Sequence, residues 1–79
     1  MTNNKETNIL VKGYEGNDRL RAGLIYEMLM DKQKNREHID MGTPERKVEV
    51  MIKEVTKMEK EDFIKREMVY KVEFKAVVL

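Results

Sequence analysis

The spacing of hydrophobic positions changes period along this chain. From Met68 to Val78 every even position is apolar, while Lys71, Glu73 and Lys75 occupy the other face. Alternation with period two marks a half-buried strand. Near the N-terminus, Ile9, Leu10 and Val11 centre a shorter strand over residues 8–14. Gly13 and Gly16 bracket Tyr14-Glu15 and predict a turn.

Between residues 18 and 35 the period becomes helical. Asn17 suits the N-cap, and Asp18 suits the positive end of the helix dipole. Lys32, Lys34 and Arg36 collect toward the other end, where cations are favoured. Leu20, Leu24 and Met28 make one stripe, Ile25 and Leu29 a second, and Tyr26 and Met30 a third. One small sheet face would not cover all of these. Gly23 costs about 1 kcal/mol against alanine in a helix interior, and it reads as drift rather than a point of backbone approach. Residues 37–44 carry Gly42 and the only proline, Pro44. They read as a loop with a short extended piece at His38–Met41.

Residues 43–58 fit either period. Thr43-Pro44-Glu45 resembles a helix start, and Val48, Met51, Ile52, Val55 and Met58 would share a helical face. Against this, Val48, Val50, Ile52, Val55 and Thr56 are β-branched, which favours a strand. The C-terminal strand also needs a partner of its own length, because unpaired backbone groups are costly. The strand reading, from about 46 to 57, is preferred, with Glu59-Lys60-Glu61-Asp62 as a polar loop. The expected fold is α+β, a small β-α-β-β domain with a three-stranded sheet and one helix on one face. The alternative is β-α-α-β. Val48, Val50, Ile52, Tyr70, Val72 and Phe74 should meet Leu20, Leu24, Ile25 and Met28. Met51, Val55, Val69 and Val77 should lie on the outer face.

Composition narrows the functions. A chain of 79 residues holds one domain, read as residues 8–79 behind a flexible tail, 1–7. It has no cysteine and one histidine, which excludes disulfides, thiol chemistry and Cys- or His-only metal sites. It has no serine either. No apolar run approaches the roughly 20 residues of a membrane span, and the N-terminus lacks a signal-peptide pattern. No membrane partner and a cytoplasmic location are the expectation.

The local motifs carry little chemistry. Glu37-His38-Ile39-Asp40 offers too few ligands for a metal, which needs three or four. Glu59, Glu61 and Asp62 are offset by Lys60, Lys65 and Arg66 and do not follow the spacing of a calcium loop. Gly13-Tyr14-Glu15-Gly16-Asn17 lacks both phosphate-binding fingerprints. The chain reads as non-catalytic and without a cofactor.

Charge leaves one alternative. Lys and Arg total 16 and Asp and Glu total 15, for a net charge of +1. A nucleic-acid regulator acting as a dimer would need folding to concentrate Arg19, Arg21, Lys32, Lys34 and Arg36. The preferred reading is a protein-interaction module, an inhibitor or adaptor of phage or mobile-element type that binds a larger protein and forms a homo-oligomer, a dimer. Its expected interface comprises Tyr26, Met30, Met51, Val55 and Val69. Methionine-rich surfaces suit adaptable contacts.

Overall fold

The computed structural model describes residues 7–79. Strand β1 (Thr7–Gly16) leads to helix α1 (Arg19–Lys34), then to strands β2 (His38–Asp40), β3 (Glu49–Asp62) and β4 (Glu67–Val78). The strands form one antiparallel sheet in the order β1-β4-β3-β2. Among the described residues the fold is therefore α+β with one helix, and the sheet has a fourth strand. The extended piece foreseen at His38 pairs with Glu49–Met51 and is that strand. Of the expected tail, residues 1–6 lie outside the described residues, and Thr7 belongs to β1.

The helix starts one residue later than its pattern suggests. Asp18, not Asn17, is the N-cap, and its carboxylate accepts the Arg21 N–H at 3.0 Å. Asp18 N–H in turn donates to the Tyr14 hydroxyl at 3.2 Å, tying the cap to β1. At the other end Glu37 N–H reaches back to the Lys32 carbonyl at 2.9 Å, with Arg36 in the left-handed region (φ 54°) that glycine usually takes.

The ambiguous middle resolves as a strand that begins at Glu49. Thr43-Pro44-Glu45 makes a single turn. Arg46 N–H donates to the Thr43 carbonyl (3.1 Å) and hydroxyl (3.2 Å), and Thr43 N–H donates back to the Arg46 carbonyl (2.9 Å). The expected polar loop, Glu59–Asp62, instead continues β3 and pairs with β4. The chain reverses at Phe63–Arg66, where Asp62 accepts the N–H groups of Ile64 and Lys65. Gly13 likewise does not end β1. It sits in a bulge between Lys12 and Tyr14, and the strand runs on to Gly16.

The core lies between one sheet face and α1. Val50, Ile52, Val72, Phe74 and Ala76 are buried there as expected of β3 and β4. The helix supplies Ala22 and Leu29, with Ile25 and Tyr26 partly buried beside them. These four recur at helical spacing and form the stripe that the tertiary fold selects. Leu20, Leu24 and Met28, the stripe expected in the core, point away and are exposed. Two features explain the choice. Ala22 is small enough to lie close against the sheet. At Gly13, a Cβ would fall 3.2 Å from Leu29 Cδ1 and 3.4 Å from the Val72 carbonyl, so glycine there admits the Leu29 side of the helix.

A second bulge, between Ile52 and Glu54, changes the parity of β3. Val50 and Ile52 face the helix before it. After it Val55 does, opposite the buried Phe74. Val55 thus moves to the helix side, contrary to its expected place on the outer face. Val77 keeps the outer face but is itself buried.

Candidate interaction surfaces

The five residues expected to form an interface do not come together. Tyr26, Met30 and Met51 line an open groove of about 900 Å³ between α1 and the β3 edge. Glu27, Asp31, Lys34, Arg36 and Lys53 complete its charged wall. Lys57 Nζ stands 5.1 Å from the Tyr26 ring centroid, a cation–π distance. Val55 packs against the core. Val69 lies at the far end of the molecule, beside the β3–β4 turn.

That turn carries residues the hydrophobic pattern did not single out. Phe63 is 79% exposed and Ile64 is 96% exposed. They cap the longest hairpin of a molecule that extends 54 Å by 26 Å by 22 Å. Beside them Val69, Glu15, Lys60, Glu61 and Asp62 shape a shallow recess. An aromatic and a β-branched side chain held in water by a tight turn have no core to join. Isolated in sequence, they show no period, which is why pattern reading passed over them.

A second apolar surface is the outward stripe of α1. Leu20 is 80% exposed and Leu24 67% exposed, with Met28 following at the same spacing. Gly23 lies beside them with nothing within 4 Å of a built Cβ. Leu20, Gly23 and Leu24 also border a groove floored by Tyr70 and edged by Lys57 and Glu59.

The outer sheet face is different in character. Glu54 pairs with Lys75 across β3 and β4 (3.5 Å), Lys71 with Glu73 along β4 (3.5 Å), and Lys12 with Glu15 on β1 (2.9 Å). Alternating signs give a solvated surface, and exposed pairs of this kind are screened by water and add little to stability. The Lys12 partner holds the Glu15 carboxyl below its ordinary range.

The His38 region forms a structural corner. His38 Nδ1 lies 3.5 Å from Glu49 Oε2, and both side chains are substantially exposed. Among the described residues no group of three or more His, Asp or Glu side chains is placed to hold a metal ion. Asp40 organises the following loop instead, accepting the N–H groups of Gly42 (2.9 Å) and Val48 (3.1 Å) through one oxygen. Those bonds, Gly42 first, hold its carboxyl below the usual aspartate range. A depressed folded-state pKa stabilises the fold above the unfolded value, and that contribution is lost as pH falls through the folded one. Amide resonances of Gly42 and Val48 should therefore titrate at a pH below the ordinary value of about 3.9. In Asp40→Asn that step should vanish. A wild-type midpoint at or above the ordinary value would contradict the bonding.

Nor does folding gather the basic residues into one field. Arg19 and Arg21 sit in the first turn of α1, whereas Lys32 and Lys34 lie in its last turn, about 16–23 Å away at 1.5 Å per residue, with Arg36 just past the helix end. Glu27 and Asp31 lie between, and Lys32 Nζ is 3.9 Å from Glu37.

No helix among the described residues is long and apolar enough to cross a membrane. No family model, curated protein or solved structure matches the chain.

Proposed function

We propose that this chain is a small non-catalytic protein-interaction module, an inhibitor or adaptor that docks on a larger protein and associates with itself. One observation carries the reading: the projecting β3–β4 hairpin ends in Phe63 and Ile64, both nearly fully exposed. Burying such side chains is worth about 1.5–3 kcal/mol each. At the end of a hairpin they can enter a concave partner site without requiring the module to unfold. Aromatic anchors filling a pocket are the usual energetic centre of an interface. The outward helix stripe adds a second apolar surface, and Val69 extends the hairpin one.

Affinity capture from the native host, with the full chain and a Phe63→Ser/Ile64→Ser variant side by side, tests the reading. The double variant should lose the captured partner by about thirtyfold in affinity, the equivalent of a 2 kcal/mol hot spot. Its stability should stay within about 0.5 kcal/mol of wild type, because both side chains are outside the core. A partner bound equally well by both proteins, or no partner for either, would refute the proposal.

A further inference from the structure

We infer that the self-association in this reading runs through the outer edge of β1, which pairs antiparallel with β1 of a second copy around Leu10. It rests on the proposal that the module associates with itself, and names the surface.

The phase of the ladder shows what this edge offers. In an antiparallel pair, a residue bonds to the residue directly opposite, and alternate residues bond to opposite neighbours. Leu79 N–H donates to the Glu49 carbonyl at 2.9 Å, so the odd positions of β4 bond to β3. The even positions therefore bond to β1, where Val78, Ala76 and Phe74 stand opposite Thr7, Ile9 and Val11. Asn8, Leu10 and Lys12 are left with main-chain groups directed outward. No strand among the described residues pairs with that edge.

The two edges of the sheet are treated differently. The β3 edge is guarded. β2 covers Glu49–Met51, the Gln33 amide donates to the Lys53 carbonyl at 2.6 Å, and Lys53, Lys57 and Lys60 punctuate the rest beside the bulge. Short edge strands, lysines and bulges are the usual protections against strand addition. Over Thr7–Lys12 the β1 edge has only its terminal Lys12, and its bulge comes after that residue. Its centre is Ile9-Leu10-Val11, and Leu10 is 62% exposed.

The edge also complements itself. Centred on Leu10, a two-fold antiparallel pairing sets Leu10 against Leu10, Ile9 against Val11, and Asn8 against Lys12. No like charges meet. The outward groups of Asn8, Leu10 and Lys12 would exchange about six main-chain bonds. Ile9 and Val11 already pack against the core but are only partly buried. Each would gain cover from the other copy, so the helix-side core would continue across the two-fold axis. Such isologous closure uses both edges once and does not propagate.

Sedimentation equilibrium of the full chain tests this, because a residue on a two-fold axis faces itself. The wild type should dimerise. Leu10→Lys and Leu10→Glu, at an exposed position, should each weaken the dimer by about tenfold or more. An equimolar mixture of the two should recover it as a heterodimer, which misfolded variants could not do. Leu10→Pro should also give a folded monomer, since the lost N–H serves no internal ladder bond. A dimer indifferent to all three changes would overturn the β1 edge and leave self-association standing. A monomeric wild type at millimolar concentration would overturn both.

Discussion

Leu29→Ala should destabilise the fold by about 2–5 kcal/mol, whereas Leu24→Ala should change it by no more than about 0.5 kcal/mol. The two leucines occupy one helix, five residues apart, and the substitutions remove the same atoms. Leu29 is buried against the sheet, and its removal leaves a cavity beside Ile25 and above Gly13. Leu24 faces water. For a domain of this size total stability is on the order of 4–12 kcal/mol, so the Leu29 variant should lose a large share of it and unfold at a clearly lower urea concentration. Urea unfolding followed by circular dichroism checks both. The reverse order would mean that α1 presents its other side to the sheet.

Gly42→Ala should cost about 1–3 kcal/mol, a large effect for one methyl group in an exposed loop. A Cβ there would run into the Arg46 carbonyl oxygen and lie 2.7 Å from the Val48 nitrogen. Both are main-chain atoms, so no side-chain rotation relieves the clash. The loop would have to give up bonds that close it, those of Asp40 to Gly42 and Val48 and those between Thr43 and Arg46. β2 would then lose its alignment with β3. Gly23→Ala is the counter-case: with open space around the Cβ, it should stabilise the protein by up to about 1 kcal/mol. Thermal unfolding of the two variants should shift in opposite directions. A neutral Gly42→Ala would show that the loop has another conformation.

Much of the sheet was legible in residue order. The alternation of β4 identifies Val72, Phe74 and Ala76 as core because a strand has two faces and polar residues mark one of them. The need of β4 for a partner of its own length favoured a strand over about 46–57, against a respectable helical start at Thr43; the observed β3 starts later, at Glu49, and runs on through the expected loop to Asp62. That argument works because backbone pairing is an obligation the whole sheet must meet.

Other features were hidden for identifiable reasons. Bulges carry no strong signature in one sequence, and the one at Lys53 reversed the side taken by Val55. With it went the expected apolar outer face, which is instead a field of paired charges around Val69, Met51 and the buried Val77. The proposed anchors, Phe63 and Ile64, fell just beyond a stretch whose acidic residues resembled a loop. They became visible only once the turn was displaced onto them.

The helix shows the division most clearly. Its existence, its approximate ends and its surplus of apolar stripes follow from residue spacing alone, because local periodicity and capping are local physics. Which stripe is buried does not. Three stripes compete, and hydrophobicity alone favours the one bearing Leu20, Leu24 and Met28. The fold buries Ala22, Ile25, Tyr26 and Leu29 instead. Close approach over Gly13 and a cap anchored to Tyr14 set the rotation of α1, and both depend on how β1 is seated against β4, a strand distant in sequence. The sequence by itself determined that this protein would carry more apolar surface than its core could use. Only the tertiary structure decided that the excess would be Leu20, Leu24 and Met28 on the helix, Phe63 and Ile64 on the hairpin, and Leu10 on an open edge, since packing chooses among faces that propensity leaves equivalent.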